Sequence, residues 1–239
     1  AREWYQRAAD LGHAEAANSL GECLRDGGDP KKAMPWFRRA AEGGSADAQV
    51  SMGYAMWYGE GVRQNRKEAL VWYEKAAELS HPKAFLNMGH IHRGGEEVTL
   101  DWEQAIRFYR KAAQLGNVAA MHWLGRIYGG QEEYPEDVDE AFIWLTFAAD
   151  AGDAQSQCSL GVCYMNGDGV DENPAKATEW YEQAAENGDE WACFLLGLCY
   201  RDGDGVESDL PTAVDWFRKA AAVGVEEAVK ELADLESNS

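Results

Sequence analysis

The sequence has no apolar segment long enough to span a membrane. Its longest apolar run, Trp191–Tyr200, is about half of the ~20 residues that a transmembrane helix requires. Cysteine is also scarce: five residues, an odd number, without the dense and even framework of a disulfide-rich secreted domain. We therefore expect no membrane insertion, reduced thiols and a cytoplasmic protein. The chain shows no signal peptide but opens at Ala1 without a methionine, so a periplasmic or secreted location is the alternative if an upstream segment was removed.

Basic residues are few in the second half of the chain. Residues 1–120 contain 16 basic and 16 acidic side chains, whereas residues 121–239 contain 6 and 26, so the second half carries the whole formal charge of −20. Such a field repels nucleic acid and anionic membranes and attracts basic partners in a salt-sensitive manner. We therefore expect no nucleic-acid binding. A hydrophobic content of 46% with ten tryptophans also excludes a disordered acidic tail.

The 239 residues are instead organised by a period of 36. Two bulky residues followed, after two positions, by an Ala pair recur with this step, starting at Trp36, Trp72, Phe108, Trp144, Trp180 and Trp216. A glycine preceded by Leu or Met keeps the same step at Gly53, Gly89, Gly125, Gly161 and Gly197, with Gly21 lying 32 residues before the first of these. Five spacings of equal length do not arise by chance and predict a repeat protein.

Each unit is predicted to contain two helices and a turn. In 45–80 the apolar residues recur at spacings of three and four, which is the helical period, and Gly59–Val62 interrupts them. A glycine inside a helix costs about 1 kcal/mol relative to alanine, so the recurring glycine predicts a close contact between helices. The predicted units are 1–12 (partial), 13–44, 45–80, 81–116, 117–152, 153–188 and 189–224, with a final helix at 225–239.

This repeat resembles that of the Sel-one-like repeat family, a relative of the tetratricopeptide repeats. The segment SQCSLGVCYMNGDGVDENPAKATEWYEQAAENG, Ser156 to Gly188, follows the family pattern almost without interruption, and Ala192 to Gly224 follows it closely. The resemblance covers nearly the whole chain. It implies an all-α, right-handed α/α superhelical solenoid of about six repeats, with a partial N-terminal repeat and a C-terminal helix, as a single domain over 1–239. It also implies assembly of signalling or membrane-associated complexes, often in bacteria.

Three units depart from the pattern at their turns. The first full unit lacks four residues, so its turn between Asp26 and Pro30 is predicted to be tighter. The unit at 81–116 has Glu97 in place of the second turn glycine. The unit at 117–152 has Gln131 and Glu133 at both glycine positions, and we expect this turn to protrude or to differ in conformation.

No motif in the chain predicts an enzyme, a cofactor or a metal site. The Asp202–Glu207 turn resembles a calcium loop, but the fifth and twelfth ligand positions of an EF-hand loop are not filled. Ser80–Lys83 matches S-x-x-K, the motif of penicillin-recognising enzymes, without its partner motifs, and Ser80 occupies an inter-repeat turn position. His90 and His92 point apart on one helix. Cys23, Cys163 and Cys199 share a small apolar repeat position, which predicts buried, unpaired thiols.

The resemblance also implies that the first helices line a concave groove. If so, periodicity places aromatic, apolar and basic side chains there, and such side chains anchor protein interfaces. The predicted protein- or peptide-binding residues are Val50, Tyr54, Trp57, Leu86, His90, Arg93, His122, Arg126, Met165, Trp191, Phe194, Leu198 and Arg201. The alternative is that superhelical twist buries some of them against the neighbouring first helix.

Basic residues are predicted to cluster in the middle of this groove, namely Lys83, His90, Arg93, His122 and Arg126. We expect such a cluster to hold a carboxylate of a bound partner. Internal pairing with groove acids such as Asp47 is an equally supported alternative.

The sequence therefore predicts a monomeric, non-enzymatic scaffold or adaptor that binds a protein or peptide segment. The second hypothesis is an inhibitor or immunity protein that blocks a basic enzyme or toxin through the acidic half, where 132–140 and 202–209 are rich in carboxylates. Those acids also fit a solvated face. A third hypothesis, a hydrolase acting on β-lactams, rests on resemblance alone.

Overall fold

The computed structural model describes residues 1–95 and 98–237, so Glu97 lies outside the described residues. Within those two ranges, all regular secondary structure is helical. The all-α prediction is confirmed. The chain forms two compact units, Ala1–Asn117 and the part from Val118 onward. A continuous 1–239 solenoid stays a prediction.

The first unit contains seven helices, which are α1 (Arg2–Asp10), α2 (Ala14–Asp26), α3 (Pro30–Glu42), α4 (Ala46–Tyr58), α5 (Arg66–Glu78), α6 (Pro82–Gly94) and α7 (Trp102–Gln114). The second unit contains α8 (Val118–Tyr128), α9 (Val138–Asp150), α10 (Ala154–Asn166), α11 (Pro174–Glu186), α12 (Glu190–Asp202), α13 (Leu210–Ala222) and α14 (Glu226–Ser237). Each even-numbered helix from α2 to α12 packs most closely on the helix that follows it, so the predicted two-helix repeat is confirmed. We call the even-numbered helices the first helices of their repeats and the odd-numbered ones the second helices.

The recurring glycine allows close packing within each pair. A Cβ on Gly53 would lie 2.7 Å from the Cε1 atom of Tyr73, which is buried on α5. The same relation joins five further pairs, Gly21 with Phe37, Gly89 with Tyr109, Gly125 with Leu145, Gly161 with Tyr181 and Gly197 with Phe217. An aromatic ring in five of the six pairs, and the Leu145 side chain in the sixth, fills the space that a side chain would need, which accounts for a glycine in the middle of a helix.

A second glycine brings consecutive repeats together. The left-handed Gly61, in the α4–α5 turn, lies against the backbone of Pro30 at the start of α3. Gly169 and Gly205 contact the first residues of α9 and α11 in the same way. A side chain at these positions would collide with backbone, so the turn sequence also determines how closely repeats stack.

The turns that depart from the pattern do differ. Only residues 27–29 separate α2 from α3, which is the tight turn predicted there. Helix α8 has 11 residues where the other complete first helices have 13, and its left-handed turn residue is Gly130 rather than the residue at 131. Beyond it, the Tyr134 ring packs on Tyr128 with 5.9 Å between centroids. The glycines that end α4, α10 and α12 occupy the repeat position of Gln131, one residue after Gly130. Because glutamine replaces that glycine here, the left-handed residue is Gly130 and the helix ends earlier.

At two of the repeat boundaries, a buried glutamine forms a hydrogen bond to the preceding repeat. On α4, the Gln49 side chain donates to the Ala41 carbonyl at 3.3 Å, and on α10 the equivalent Gln157 donates to the Ala149 carbonyl at 3.1 Å. The Gln157 oxygen also accepts from Asn187 at 2.9 Å. Gln49 lacks that second contact, because Leu79 stands where the later repeat has Asn187, and within the described residues its buried oxygen has no hydrogen-bond donor.

Replacing Leu79 with asparagine is therefore expected to stabilise the protein by about 1 kcal/mol, since it supplies the missing donor to a buried acceptor. Leu79 is exposed, so little apolar burial is lost. Urea denaturation followed by circular dichroism measures the change. Leu115→Asn is the matched control, because it makes the same substitution one repeat later, where Phe85 replaces the glutamine. Equal effects of the two substitutions would contradict the hydrogen-bond explanation.

Candidate protein-binding surface

The predicted binding residues all lie on first helices. Val50, Tyr54 and Trp57 are on α4, and Leu86, His90 and Arg93 are on α6; in the second unit, His122 and Arg126 are on α8, Met165 is on α10, and Trp191, Phe194, Leu198 and Arg201 are on α12. Tyr54 and Trp191 are exposed, and Trp57, His122 and Phe194 are buried. The remaining eight are half-buried. Burial against neighbouring helices, raised as an alternative for any single residue, therefore applies to three of them.

In the first unit, three of these residues line one pocket of about 330 Å³. Trp57, His90 and Arg93 contribute to it, and the pocket is closed by Tyr58, Tyr73, Asn87, Ile91 and Gly94. Tyr54 continues the surface outside the pocket, because its ring packs on that of Tyr58 with 4.6 Å between centroids. Periodicity did not indicate Tyr73, since it belongs to a second helix and reaches the pocket only through the space left by Gly53.

His90 is not a cation in this pocket. Its Nδ1 atom lies 2.8 Å from the Tyr109 hydroxyl. Burial, and then the positive charge of Arg93, lower the pKa of His90 to about 4, so the imidazole is neutral at pH 7. The predicted basic cluster is thus wrong for His90, and Arg93 supplies the positive charge of the pocket lining.

The second unit has a related pocket of about 120 Å³ between α8, α9 and α10. Gly129, Leu145 and Val162 occupy the repeat positions that Trp57, Tyr73 and His90 occupy in the first unit. Of these two related pockets, the one in the first unit is larger and is lined by aromatic and basic side chains, while the one in the second unit is lined at these three positions by apolar side chains and a glycine.

His122 is held within the second unit by a buried polar cluster. Asp153, the N-cap of α10, accepts from the Ser156 hydroxyl at 2.6 Å and from the Ser156 amide at 2.9 Å. The Nδ1 atom of His122 lies 2.8 Å from the Ser156 oxygen and 3.2 Å from Asp153. Because the hydroxyl hydrogen is directed at Asp153, Nδ1 carries a hydrogen and donates. Burial alone would raise the pKa of Asp153, but hydrogen bonds from His122 and Ser156 lower it to about 2.

Serine, histidine and aspartate are also the residue types of a nucleophilic triad, but the geometry of Ser156, His122 and Asp153 is different. In a triad the imidazole joins the acid with one nitrogen and the hydroxyl with the other. Here the same Nδ1 contacts both, the hydroxyl donates to the acid, and Ser156 is fully buried. The cluster is a structural link between consecutive repeats.

The other predicted cations are paired inside the second unit. Arg126 lies 3.3 Å from Glu132, and Arg201 lies 2.6 Å from Asp202 and 2.5 Å from Glu231 of α14. For these two arginines, internal pairing, the alternative to partner binding, is present. Arg126 also lies over the Trp123 ring at 4.8 Å.

The remaining candidates for chemistry have ordinary structural positions. Ser80 adopts the left-handed φ of 58° in an inter-repeat turn, where other repeats have glycine, as the sequence predicted. Cys163 and Cys199 are buried and unpaired as predicted, and so is Cys158, whereas Cys23 is half-buried, so the prediction of burial is wrong for Cys23. Burial raises the pKa of Cys163 to about 11. Within residues 1–95 and 98–237, no group of three or more His, Cys, Asp or Glu side chains is placed to hold a metal ion. The described helices are also too short or too polar to cross a membrane.

Two-helix repeats in which a glycine of the first helix contacts a bulky side chain of the second define an all-α helical repeat protein. Residues 1–13, 14–45, 46–81, 82–117, 118–153, 154–189 and 192–225 match the Sel1 repeat, and the chain belongs to that family. Sel1 repeat proteins are in general non-enzymatic protein-interaction scaffolds.

Two solved structures are about one third identical to the chain. A protective antigen of uropathogenic Escherichia coli with the same repeat fold is 32% identical, with a TM-score of 0.87 over 97% of this chain and 50% of that one. The chain thus spans about half the length of that relative. A Sel1 repeat protein from Oxalobacter formigenes is also 32% identical, with a TM-score of 0.80 over 89% of both chains.

More distant structures share the fold alone. An immunity protein from Pseudomonas aeruginosa is 23% identical, with a TM-score of 0.54 over 88% of this chain and 81% of that one. A search of curated proteins found no match.

Proposed function

We propose that the protein is a non-enzymatic scaffold that binds a protein or peptide segment on the surface of its first helices. The observation that carries the proposal is the aromatic surface of α4 and α6, where exposed Tyr54 and Tyr58 border a pocket lined by Trp57 and Arg93. Aromatic and arginine side chains are the ones that supply most binding energy at protein interfaces. In the second unit, exposed Trp191 packs on Phe194 with 5.0 Å between ring centroids and forms a separate aromatic contact point.

Replacing both Tyr54 and Trp191 with serine is expected to reduce capture of the partner from native lysate at least about tenfold, because each replacement removes a contact worth roughly 1 kcal/mol or more. The matched control replaces Trp4 and Phe147, which are also exposed aromatic residues, one in each unit, but lie on the second helices α1 and α9. The control variant is expected to retain the partner. Equal retention by both variants would contradict the proposed surface.

The second hypothesis, inhibition of a basic enzyme or toxin, is supported by the charge of residues 121–239, which hold 26 acidic and 6 basic side chains. Contacts between opposite charges at a protein surface weaken when salt shortens the Debye length from ~10 Å at 0.1 M to ~3 Å at 1 M. A partner that both serine variants retain, and that high salt releases, would therefore favour the acidic half as the binding region.

A further inference from the structure

We infer that Trp191, on α12, binds a positively charged side chain of the protein partner, arginine or lysine, against the face of its indole ring. The inference rests on the proposed function and names the chemistry that the second unit recognises. Trp191 is 44% exposed, and its ring packs on the buried Phe194 with 5.0 Å between ring centroids. An exposed ring that is already supported from one side can receive a partner side chain with little loss of conformational entropy.

Trp191 differs from the other exposed tryptophan in the contacts of its ring. Of the ten tryptophans, Trp4 and Trp191 are the exposed ones. The Arg7 guanidinium lies 5.3 Å from the centre of the Trp4 ring. In the part of the chain that the structure describes, no lysine or arginine lies over the Trp191 ring. The exposed face of Trp191 is therefore available to a cation from another molecule.

A cation over a tryptophan ring is a recurring contact within the chain. The Lys219 ammonium lies 3.5 Å from the centre of the Trp216 ring, which precedes it by three residues on α13. The same contact between residues three apart recurs on the other second helices that begin with a basic or neutral repeat, at Trp4, Trp36 and Trp72. On α12 the residue three positions after Trp191 is Phe194, so this spacing supplies a supporting ring instead of a cation.

The charge near Trp191 also favours a cation. Asp189 and Glu190 come directly before Trp191 in the chain. Asp189 accepts a hydrogen bond from the Ala192 amide at 2.7 Å, and its negative charge offsets the positive end of the α12 helix dipole. Residues 121–239 hold 26 acidic and 6 basic side chains, so the field around this unit attracts a positively charged segment. A cation over an indole ring is attracted by the ring quadrupole, and the two attractions add.

The test uses four capped pentapeptides that differ at the central residue, which is arginine, citrulline, lysine or norleucine, with leucine and glycine on both sides. Citrulline has the length and shape of arginine without its charge, and norleucine has the aliphatic chain of lysine without the ammonium. Nitrogen-15 labelling of tryptophan gives ten indole signals, and the one lost in Trp191→Leu belongs to Trp191. Affinities are taken from the proton signals of the peptide, so they can be measured in variants that lack the ring. The titrations are made in 1 M salt, where a Debye length of ~3 Å screens the long-range attraction.

We expect the arginine or the lysine peptide to bind at least about twofold more tightly than its neutral counterpart, as expected for an exposed cation–π contact. Binding should shift the Trp191 indole signal, and the ring current should move the methylene protons beside the charge upfield. Which cationic peptide shows the larger preference identifies the side chain. Trp191→Phe should weaken the preference and Trp191→Leu should abolish it, because tryptophan attracts cations more strongly than phenylalanine does and leucine has no ring. Trp4→Leu is the matched control and should preserve the preference, because Arg7 already lies over that ring.

Equal affinities for the charged and neutral peptides would overturn the inference and leave Trp191 as an apolar contact. A charge preference that survives Trp191→Leu, or cationic peptides that leave the Trp191 signal unmoved, would overturn it as well. These results are distinguishable from failure of the proposed function. If the Tyr54 and Trp191 double variant loses its partner while the charge preference is absent, the scaffold function stands and the cation site falls. If the preference is present but the double variant keeps its partner, the reverse holds.

Discussion

Replacing Gly53 with alanine is expected to lower the free energy of unfolding by up to about 2 kcal/mol. The added Cβ would lie 2.7 to 2.9 Å from three atoms of the Tyr73 ring, well inside van der Waals contact. Tyr73 is buried, so the clash must be relieved by a shift of its ring or by separation of α4 from α5, and overpacking of this kind costs about 1–3 kcal/mol. Alanine is a better helix former than glycine by about 1 kcal/mol, which offsets part of the clash.

A double-mutant cycle measured by urea denaturation separates these two effects. In a Tyr73→Leu background the Gly53→Ala substitution should cost at least about 1 kcal/mol less, because a leucine side chain can move aside. Leucine is already accommodated at the repeat position of Tyr73 in the second unit, where Leu145 packs on Gly125. If Gly53→Ala stabilises the wild-type protein, helix propensity outweighs packing and the glycine is not required for the contact.

Replacing His122 with leucine is expected to cost about 2–3 kcal/mol at neutral pH. The substitution leaves the Asp153 carboxylate, whose side chain is 29% exposed, without one of its donors, and hydrogen bonds to charged groups contribute about 1.5–3 kcal/mol. The repeat itself accommodates an apolar residue at this position, because Leu86 and Cys158 occupy it in the adjacent repeats. Loss of the polar contact, rather than a misfit of size, is therefore what the variant reports.

The stability lost in the His122→Leu variant is expected to depend on pH. The folded-state pKa of Asp153, about 2, lies below its ordinary value of 3.8, so the unfolded chain binds more protons between these values. The stability that Asp153 contributes is present above about pH 4 and is lost as the pH falls through about 2. The gap between wild type and His122→Leu should therefore be larger at pH 5 than near pH 2, when unfolding is measured in urea at both.

His81→Leu is the matched control. His81 also contacts an aspartate, Asp47, at 3.0 Å, but the Asp47 side chain is 58% exposed, and exposed pairs contribute about 0–1 kcal/mol. A loss as large for His81→Leu as for His122→Leu would show that any histidine at a repeat boundary matters equally, whatever the burial of its acid.

Much of the fold follows from the sequence alone. The 36-residue period, the glycine-rich turns and the helical spacing of apolar residues predicted two helices in each repeat, because helix formation and turn geometry depend on residues close together in the chain. The same pattern indicated where turns would be irregular, since a position that needs a left-handed backbone is recognisable when Gln131 replaces its glycine. It also placed all thirteen candidate binding residues on first helices.

Which of those residues face solvent was decided by tertiary packing. Trp57 and Tyr58 are adjacent on α4, yet Trp57 is 8% exposed and Tyr58 is 62% exposed, because the neighbouring helix covers one and not the other. The charge of His90 and the contact between His122 and Asp153 likewise depend on side chains from another helix. Helical periodicity specifies the face of a helix that a residue occupies, but burial, protonation and pairing depend on what the neighbouring repeat places against that face, and those contacts join residues up to a full repeat apart in the chain.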